Sequence, residues 1–274
     1  MAQRRRAAVL GKPIAHSLSP VIHNAGYAAA GLTGWSYTRI ECAESELPGL
    51  VAGLGPEWAG LSVTMPGKEA ALAVADAASP VATAVGAANT LVRRPDGSWY
   101  ADNTDVAGMV DVLTAAGVRP GVTVTVLGAG GTARAALAAA AQLEARTVTV
   151  VARRTAAVDE LRPVARVLGL PMAGAPWVDA AELCRADVVV STVPKGVADP
   201  FAGTVGWRPE TVLFDALYDP WPTPLAAAAQ AAGCRIVSGL DLLLAQAVGQ
   251  FEQFTGVRAP CEAMAAALAA ARRR

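Results

Sequence analysis

Residues 122–137 read Val-Thr-Val-Thr-Val-Leu-Gly-Ala-Gly-Gly-Thr-Ala-Arg-Ala-Ala-Leu. This pattern predicts a buried strand over Val122–Leu127, a turn without side-chain bulk over Gly128–Gly131, and a helix over Thr132–Glu144. The free N–H groups at the start of such a helix can hold a pyrophosphate, and the small turn residues let it approach the backbone. The stretch therefore predicts a doubly wound, Rossmann-type nucleotide-binding domain, with an ordinary tight strand–helix turn as the alternative. The predicted contacts to the dinucleotide are Gly128, Ala129, Gly130, Gly131, Thr132 and Ala133.

The end of the next predicted strand, Thr147–Ala152, indicates which dinucleotide binds. An NAD site usually carries an Asp or Glu about 20 residues after the glycines, to accept the ribose 2′-hydroxyl. Here the strand is followed by Arg153, Arg154 and Thr155, with no acid. Two guanidinium groups suit the 2′-phosphate of NADP through bidentate, charge-assisted hydrogen bonds. NADP is thus the predicted cofactor, and exposed arginines at a strand end are the alternative.

The alternation of β-branched and alanine-rich runs extends over the whole chain and predicts an α/β fold with parallel strands. Downstream, it predicts a helix at Thr155–Leu168, strands at Val188–Thr192, Leu213–Ala216 and Arg235–Ser238, and closing helices at Asp241–Phe254 and Ala259–Arg272. Upstream, it predicts strands at Ala7–Leu10, Ser36–Ile40, Leu61–Thr64 and Asn89–Arg93, a hairpin strand at Trp99–Ala101, and helices starting at Asp105 and after Ser19-Pro20, with Ser19 as N-cap. Two domains follow: an N-terminal α/β substrate domain of residues 1–104 plus 239–274, to which the C-terminal helices return, and an NADP-binding domain of residues 105–238.

Composition excludes several classes of protein. The 274 residues are 53% hydrophobic and 17% charged, which is typical of packed cores and not of disorder. Lys+Arg and Asp+Glu both number 23, so no basic surplus indicates a nucleic-acid partner. The triplets Arg4–Arg6 and Arg272–Arg274 are predicted to be solvated tails.

The four cysteines lie far apart, with neither a CxxC pair nor a histidine at zinc-ligand spacing. We therefore expect no metal site and a reducing compartment. No stretch approaches the 18 uncharged apolar residues of a membrane span, and the first apolar run is too short for a signal peptide. The sequence predicts a cytoplasmic protein with no membrane partner.

Candidate catalytic groups stand upstream of the glycine turn. Lys68 follows Pro-Gly at a strand's carboxyl end, where α/β sheets place ligands, although a lone lysine there is more often solvated. Asp105 offers a carboxylate for proton transfer with Lys68, but it also suits a helix start, and Asp102 competes for the same role. Ser17 and Ser19 can place two hydroxyls on one side of an extended loop, with helix capping as the alternative.

Six ordered motifs resemble the shikimate dehydrogenase family over nearly the whole chain. They are Gly11-Lys12-Pro13-Ile14-Ala15-His16-Ser17-Leu18-Ser19-Pro20, Ser62-Val63-Thr64-Met65-Pro66-Gly67-Lys68, Gly86-Ala87-Ala88-Asn89-Thr90, Asp102-Asn103-Thr104-Asp105, Gly128-Ala129-Gly130-Gly131, and Gly239-Leu240 followed by Gln246. The resemblance implies NADPH-dependent reduction of 3-dehydroshikimate to shikimate in aromatic amino acid biosynthesis. We expect a monomer or homodimer, between which the sequence does not decide. The resemblance assigns the catalytic pair to Lys68 and Asp105, substrate binding to Ser17, Ser19, Thr64, Asn89, Tyr218 and Gln246, and further cofactor contacts to Thr192 and Gly239.

Three positions depart from the family pattern. The usual Asn-Val-Thr reads Ser62-Val63-Thr64, the usual Asn-Arg-Thr reads Arg153-Arg154-Thr155, and a frequent glycine is Asp241. The second change leaves open which arginine meets the 2′-phosphate. Two rival functions share the motifs. The first is a catabolic quinate/shikimate dehydrogenase; such enzymes often prefer NAD, and the paired arginines argue against that preference. The second is a catalytically silent NADP-binding protein, and the presence of both Lys68 and Asp105 argues against it.

Overall fold

The computed structural model describes residues 4–272, which form two compact units. Unit 1 consists of the residues up to Thr104 together with those from Leu243 onward, and unit 2 is Asp105–Leu242. Each unit has its own six-stranded sheet. The predicted two-domain α/β fold is confirmed.

Unit 1 is built on a mixed sheet with strand order β2-β1-β3-β5-β6-β4. Strands β1 to β3 are parallel, whereas β5 runs antiparallel to both β3 and β6. The antiparallel β5–β6 pair is the predicted hairpin, and the antiparallel β3–β5 pair departs from the predicted parallel pattern. In chain order the elements are β1 (Arg5–Gly11), α1 (Ser19–Ala29), β2 (Trp35–Glu41), α2 (Leu47–Ala52), β3 (Trp58–Val63), α3 (Lys68–Val74), β4 (Ala77–Ala78), α4 (Pro80–Val85), β5 (Thr90–Arg93) and β6 (Trp99–Asp102).

The structure corrects two expectations at the start of the chain. Arg5 and Arg6 belong to β1 rather than to a solvated tail, and their guanidinium groups lie over the rings of Trp35 at 5.7 Å and Trp58 at 4.6 Å. Such cation–π contacts keep the charge near water while the stem covers the ring. Ser19 is not the N-cap of α1: the cap is Leu18, whose side chain cannot cap, and Ser19 is the first helical residue.

Unit 2 begins with α5 (Thr104–Ala115) and has an all-parallel sheet with strand order β12-β11-β10-β7-β8-β9. The elements are β7 (Thr123–Leu127), α6 (Gly131–Gln142), β8 (Thr147–Ala152), α7 (Thr155–Asp159), α8 (Arg162–Val167), β9 (Met172–Pro176), α9 (Ala180–Leu183), β10 (Val188–Ser191), β11 (Val212–Asp215), α10 (Pro224–Ala231) and β12 (Arg235–Ser238). This is the predicted doubly wound arrangement.

The helix predicted over 155–168 is divided into α7 and α8. Pro163 lies in the first turn of α8, where its missing N–H does no harm, whereas within one continuous helix it would remove a hydrogen bond.

Two helices close the chain, α11 (Gly239–Thr255) and α12 (Cys261–Arg272), close to the predicted bounds. Helix α1 packs against α12, and Gly26 permits the close approach. A Cβ atom built on Gly26 would lie 2.9 Å from Phe251 Cε2 and 3.1 Å from Met264 Cγ. The core of unit 1 therefore depends on segments from both ends of the chain.

No helix within residues 4–272 is long and apolar enough to cross a membrane. All four cysteines are free thiols, and those of Cys42, Cys184 and Cys234 are buried.

Candidate active site

The sheet of unit 1 gathers five predicted site residues along one edge. Parallel strands β1 and β3 both end there, at Gly11 and Val63. Because β5 is antiparallel, it begins at the same edge, with Thr90 paired to Ser62 of β3 and to Asp102 of β6. The segments that follow or precede these ends carry Ser17, Ser19, Thr64, Lys68 and Asn89.

Ser17 and Ser19 are both buried, and their hydroxyl oxygens lie 3.3 Å apart. Ser17 Oγ also accepts from the backbone N–H of Ser19, at 3.3 Å, at the N-terminus of α1. The loop is held from outside by Arg39, whose Nε donates to the Ser17 carbonyl at 2.8 Å. Two adjacent hydroxyls at the positive end of a helix suit a carboxylate ligand.

Thr64 and Lys68 lie on the turn between β3 and α3. The backbone N–H of Thr64 donates to Leu10 O at 2.8 Å, which fixes the turn to β1, and the Thr64 side chain is exposed. Lys68 is the first residue of α3, and its carbonyl accepts from Ala88 N at 2.8 Å. This bond ties Lys68 to the residue that precedes Asn89, so the lysine and the amide belong to one local arrangement.

Asn89 is buried, and the orientation of its amide follows from its partners. Its Oδ1 accepts from Thr90 Oγ1 at 2.8 Å, from the Thr104 backbone N–H at 2.8 Å and from Thr104 Oγ1 at 3.1 Å. Because the Thr104 backbone N–H can only donate, the side-chain atom of Asn89 that faces it is the carbonyl oxygen and not the NH₂ group. Nδ2 is therefore the group of Asn89 that remains to donate to a ligand.

The two carboxylates that compete for the catalytic role have different surroundings. Asp102 accepts from Ser79 Oγ at 2.6 Å through one oxygen and from Gln253 Nε2 at 2.7 Å through the other. These bonds give Asp102 a structural task within unit 1. Asp105 is buried in the first turn of α5 and begins unit 2. Its pairing with Lys68, which lies in unit 1, stays a prediction.

Helix α11 contributes two glutamines to unit 1. The Nε2 group of Gln246 donates to Leu243 O of its own helix at 2.8 Å, which leaves its Oε1 as the acceptor for a ligand. One turn later, Gln250 is fully buried and bonds to Ser62, Asn89 and Thr90. At position 62, where the family usually has asparagine, the serine of this chain thus has a hydrogen-bond partner on α11.

A stacked aromatic pair, His23 and Tyr37, lies next to Ser62. His23 stacks on Tyr37 with 4.1 Å between ring centroids, and Tyr37 Oη donates to Ser62 Oγ at 2.5 Å. Burial lowers the pKa of His23 to about 3, and the nearby Gln250 side chain raises it back only in part. Among residues 4–272, neither imidazole nitrogen has a hydrogen-bond partner. Burial also raises the pKa of Tyr37, so the phenol keeps its proton and remains a donor.

In unit 2, the glycine turn follows β7 as predicted. Gly128 has φ +105°, and a Cβ there would lie 2.6 Å from Thr192 Oγ1, so this position requires glycine. Gly130, the N-cap of α6, has φ −95° and ψ −167°, and its Cβ would have no neighbour within 4 Å. The turn therefore offers open space at the start of a helix, which fits the pyrophosphate of a dinucleotide.

The predicted 2′-phosphate contacts lie beside this turn. Gly128 N donates to Val151 O at 2.9 Å, so β8 ends next to the glycines. Arg153, Arg154 and Thr155 follow and are exposed, with Arg154 as the N-cap of α7. Thr192 is fixed at the end of β10, where its Oγ1 donates to Leu127 O at 2.9 Å. The predicted cofactor residues of unit 2 therefore lie at one sheet edge, and their chemistry fits NADP.

The segment after β11 carries Tyr218. Asp215 anchors it by accepting from Thr223 Oγ1 at 2.6 Å and from Leu217 N at 3.2 Å. Burial raises the pKa of the Asp215 carboxyl, and it likewise raises the pKa of the Tyr218 phenol, with a smaller contribution from Asp219. Tyr218 thus remains a hydrogen-bond donor at neutral pH.

Gly239 and Asp241 define how α11 begins. A Cβ on Gly239 would lie 2.1 Å from Ala216 O, so no side chain fits there. Asp241 accepts from both the backbone N–H and the hydroxyl of Ser238, each at 2.7 Å, and so satisfies groups at the helix start. Asp241, which stands where the family often has glycine, therefore caps the start of α11.

Sequence reasoning missed several residues that support the site: Arg39, Thr90, Thr104, Asp215 and Gln250. Gln250 had a usable signal, since it lies four residues after Gln246 and therefore on the same face of α11. A polar residue on an otherwise apolar helical face is expected to have a buried partner.

Comparisons with known proteins agree with this arrangement. A family model described as the shikimate dehydrogenase substrate binding domain matches residues 9–91, and one described as the shikimate 5'-dehydrogenase C-terminal domain matches residues 239–269. The shikimate dehydrogenase (NADP(+)) of Caulobacter vibrioides strain NA1000 is 41% identical over 259 residues, which cover 90% of this chain and 88% of the relative.

Two solved structures are similar in fold. The crystal structure of Mycobacterium tuberculosis shikimate dehydrogenase matches with a TM-score of 0.88 and 50% identity, covering 97% of this chain and 99% of that one. Shikimate 5-dehydrogenase from Thermus thermophilus, in complex with NADP(H) and shikimate, matches with a TM-score of 0.84 and 32% identity, covering 97% and 99%. The resemblance drawn from the six motifs is confirmed, and the chain belongs to the shikimate dehydrogenase family.

Proposed function

We propose that this protein catalyses the reversible, NADPH-dependent reduction of 3-dehydroshikimate to shikimate in aromatic amino acid biosynthesis. One observation carries the proposal: Lys68 lies at the same edge of the unit 1 sheet as the paired hydroxyls of Ser17 and Ser19 and the amide of Asn89. A substrate that carries one carboxylate and several hydroxyls matches this set of groups. A site built to hydrogen-bond those hydroxyls rejects analogues that lack them.

Each residue has a defined task in the proposed reaction. The substrate carboxylate is bound by Ser17, Ser19 and Tyr218, and the ring hydroxyls are bound by Thr64, Asn89, Asp105 and Gln246. Lys68 gives a proton to the C3 carbonyl oxygen as this becomes a hydroxyl, and takes it back in the reverse direction. Asp105 orients Lys68 and the substrate. When bound, NADPH supplies the hydride that C3 receives.

The cofactor contacts are proposed for residues of unit 2. The first residues of α6, after Gly130, hold the pyrophosphate through backbone N–H groups, and Arg153 and Arg154 hold the 2′-phosphate. We also propose a cytoplasmic location, because the cysteine usage is typical of a reducing compartment, and a monomer or homodimer as the working form.

A single assay tests the activity against its rival. Absorbance at 340 nm is followed with shikimate or quinate as substrate, each with NADP or NAD. We expect shikimate with NADP to give the highest kcat/KM, because no carboxylate ends β8 to accept an NAD ribose hydroxyl. Higher kcat/KM for quinate with NAD would support the catabolic enzyme instead, and no turnover with any pair would support a silent binding protein.

The catalytic pair is tested by three substitutions. Lys68→Ala should lower kcat by roughly 10²- to 10⁴-fold and change KM for shikimate less than about tenfold, since general acid–base help is worth that much. Asp105→Asn should lower kcat and raise KM, and adding it to Lys68→Ala should cost little more, because residues of one network are not additive. Asp102→Asn is the matched control, and a larger loss there than in Asp105→Asn would reverse the assignment.

A further inference from the structure

Gln250 occupies the centre of a directional chain of hydrogen bonds in unit 1. Tyr37 Oη donates to Ser62 Oγ, and Ser62 Oγ donates to Gln250 Oε1 at 2.6 Å. Gln250 Nε2 donates to Thr90 Oγ1 at 3.0 Å, and Thr90 Oγ1 donates to Asn89 Oδ1 at 2.8 Å. Every member is buried, so water does not compete for these bonds.

The direction of each bond follows from the groups themselves. Because burial keeps the phenol protonated, Tyr37 donates, and Ser62, having accepted that bond, directs its single proton to Gln250. An oxygen of the Gln250 carboxamide must face the Ser62 hydroxyl, which places the NH₂ group toward Thr90. Thr90 has one proton, and since Nε2 can only donate to it, that proton is available to Asn89 Oδ1 at 2.8 Å, with Thr104 Oγ1 at 3.2 Å as the more distant acceptor.

Gln250 also fixes the backbone at the end of this chain. Its Nε2 donates to the Asn89 carbonyl at 3.1 Å, where Val63 N donates as well at 2.7 Å. One carboxamide from a helix distant in sequence therefore holds the Asn89 main chain directly and supports the Asn89 side chain through Thr90.

We propose that Gln250 is a positioning residue for the substrate: the Thr104 N–H sets which atom of the Asn89 amide is the oxygen, and the bonds of Gln250 to the Asn89 carbonyl and to Thr90 hold that amide in place, with its NH₂ group toward a ring hydroxyl of shikimate. The proposal rests on the proposed role of Asn89. Gln250 itself does not contact the substrate. Its effect is thus on substrate binding rather than on the proton transfer at Lys68 or on the cofactor.

The test uses Gln250→Met, which keeps an unbranched side chain and removes both ends of the carboxamide. We expect the Kd for shikimate, measured by calorimetry without cofactor, and KM for shikimate to rise by about 3- to 10-fold, the loss of one net hydrogen bond. We expect kcat and KM for NADP to change less than twofold. Thermal unfolding establishes that each variant is folded at the assay temperature.

Three further variants keep the proposal falsifiable if Gln250→Met folds poorly. Thr90→Val breaks the chain at its last hydroxyl and should weaken shikimate binding as Gln250→Met does, whereas Thr90→Ser keeps the hydroxyl and should bind within about twofold of the wild type. Gln253→Met removes a carboxamide from the same helix that bonds Asp102 rather than Asn89, and shikimate binding should be unchanged. Equal losses for Gln250→Met and Gln253→Met would overturn the proposal.

Asn89→Ala separates failure of this proposal from failure of the proposed site. If Asn89→Ala weakens shikimate binding by more than about 30-fold and Gln250→Met does not weaken it, the site stands and the positioning role of Gln250 is wrong. If Asn89→Ala leaves shikimate binding unchanged, Asn89 does not bind the substrate, and both are wrong.

Discussion

Substitution by alanine should change the free energy of unfolding very differently at two positions of the glycine turn, Gly130 and Gly128. At Gly130, alanine meets no atom within 4 Å and adopts the existing extended backbone without strain. The free energy of unfolding should therefore stay within about 1 kcal/mol of the wild type, with a small gain from the reduced entropy of the unfolded chain. At Gly128, alanine would have φ +105° and a Cβ 2.6 Å from Thr192 Oγ1. The strained backbone alone costs about 1–3 kcal/mol.

NADPH binding should show that Gly130→Ala affects the cofactor site although it leaves the stability of the fold nearly unchanged. In Gly130→Ala the new methyl group occupies the open space at the start of α6, so the pyrophosphate loses its approach to the backbone N–H groups. Loss of one such charge-assisted bond is worth about 1.5–3 kcal/mol, which corresponds to a roughly 10- to 150-fold higher Kd. Urea denaturation and NADPH fluorescence titration measure the two quantities, with shikimate calorimetry as the control for unit 1. A Gly130→Ala protein that binds NADPH as tightly as the wild type would refute the placement of the pyrophosphate.

Three other predictions test separate parts of the molecule. Ser17→Ala and Ser19→Ala should each weaken shikimate binding by about 1.5–3 kcal/mol and leave NADPH binding unchanged, since each removes a donor to the carboxylate; an unchanged KM would make the serines purely structural. The double variant Arg153→Asp with Arg154→Ala should lose NADP affinity much more than NAD affinity, with kcat at saturating cofactor little changed; equal losses in titrations of both nucleotides would contradict phosphate recognition. His23→Phe should flatten the pH dependence of stability, because burial lowers the pKa of His23 to about 3 and only the unfolded chain takes up a proton there below pH 6.5. Between pH 6.5 and 5 the free energy of unfolding of the wild type, measured by urea denaturation, should fall by about 2 kcal/mol, and that of the variant should not show this loss.

The elements that were predictable from sequence are those with strong local signals. The strand, glycine turn and helix at Thr123–Gln142 combine β-branched residues, backbone freedom and alanine, and all three indicate the same structure. Edge strand β9 was missed because Gly174 and Pro176 weaken its pattern. The division between α7 and α8 was signalled by Pro163, which the uninterrupted prediction ignored.

The site was less predictable than the fold, because its geometry depends on contacts distant in sequence. Spacing alone could not decide whether Ser19 caps a helix or shares a ligand with Ser17. The structure excludes Ser19 as the N-cap, because Leu18 holds that position, and the shared ligand stays a prediction. Likewise, the chain from Tyr37 to Asn89 passes through Gln250, more than 150 residues further along the sequence. Residue types can be read locally, but the pairing of distant polar groups follows only from the packing of α11 on the sheet.

The close contact of Gly26 with Phe251 and Met264 has a consequence for biosynthesis. Translation is vectorial, so α1 leaves the ribosome well before the helices that cover it, with all of Asp105–Leu242 made in between. We expect nascent unit 1 to expose apolar surface during this interval and to be a client for chaperones, while unit 2 can already fold. A stalled nascent chain whose residues up to Leu242 have left the ribosome should accordingly bind NADPH but not shikimate.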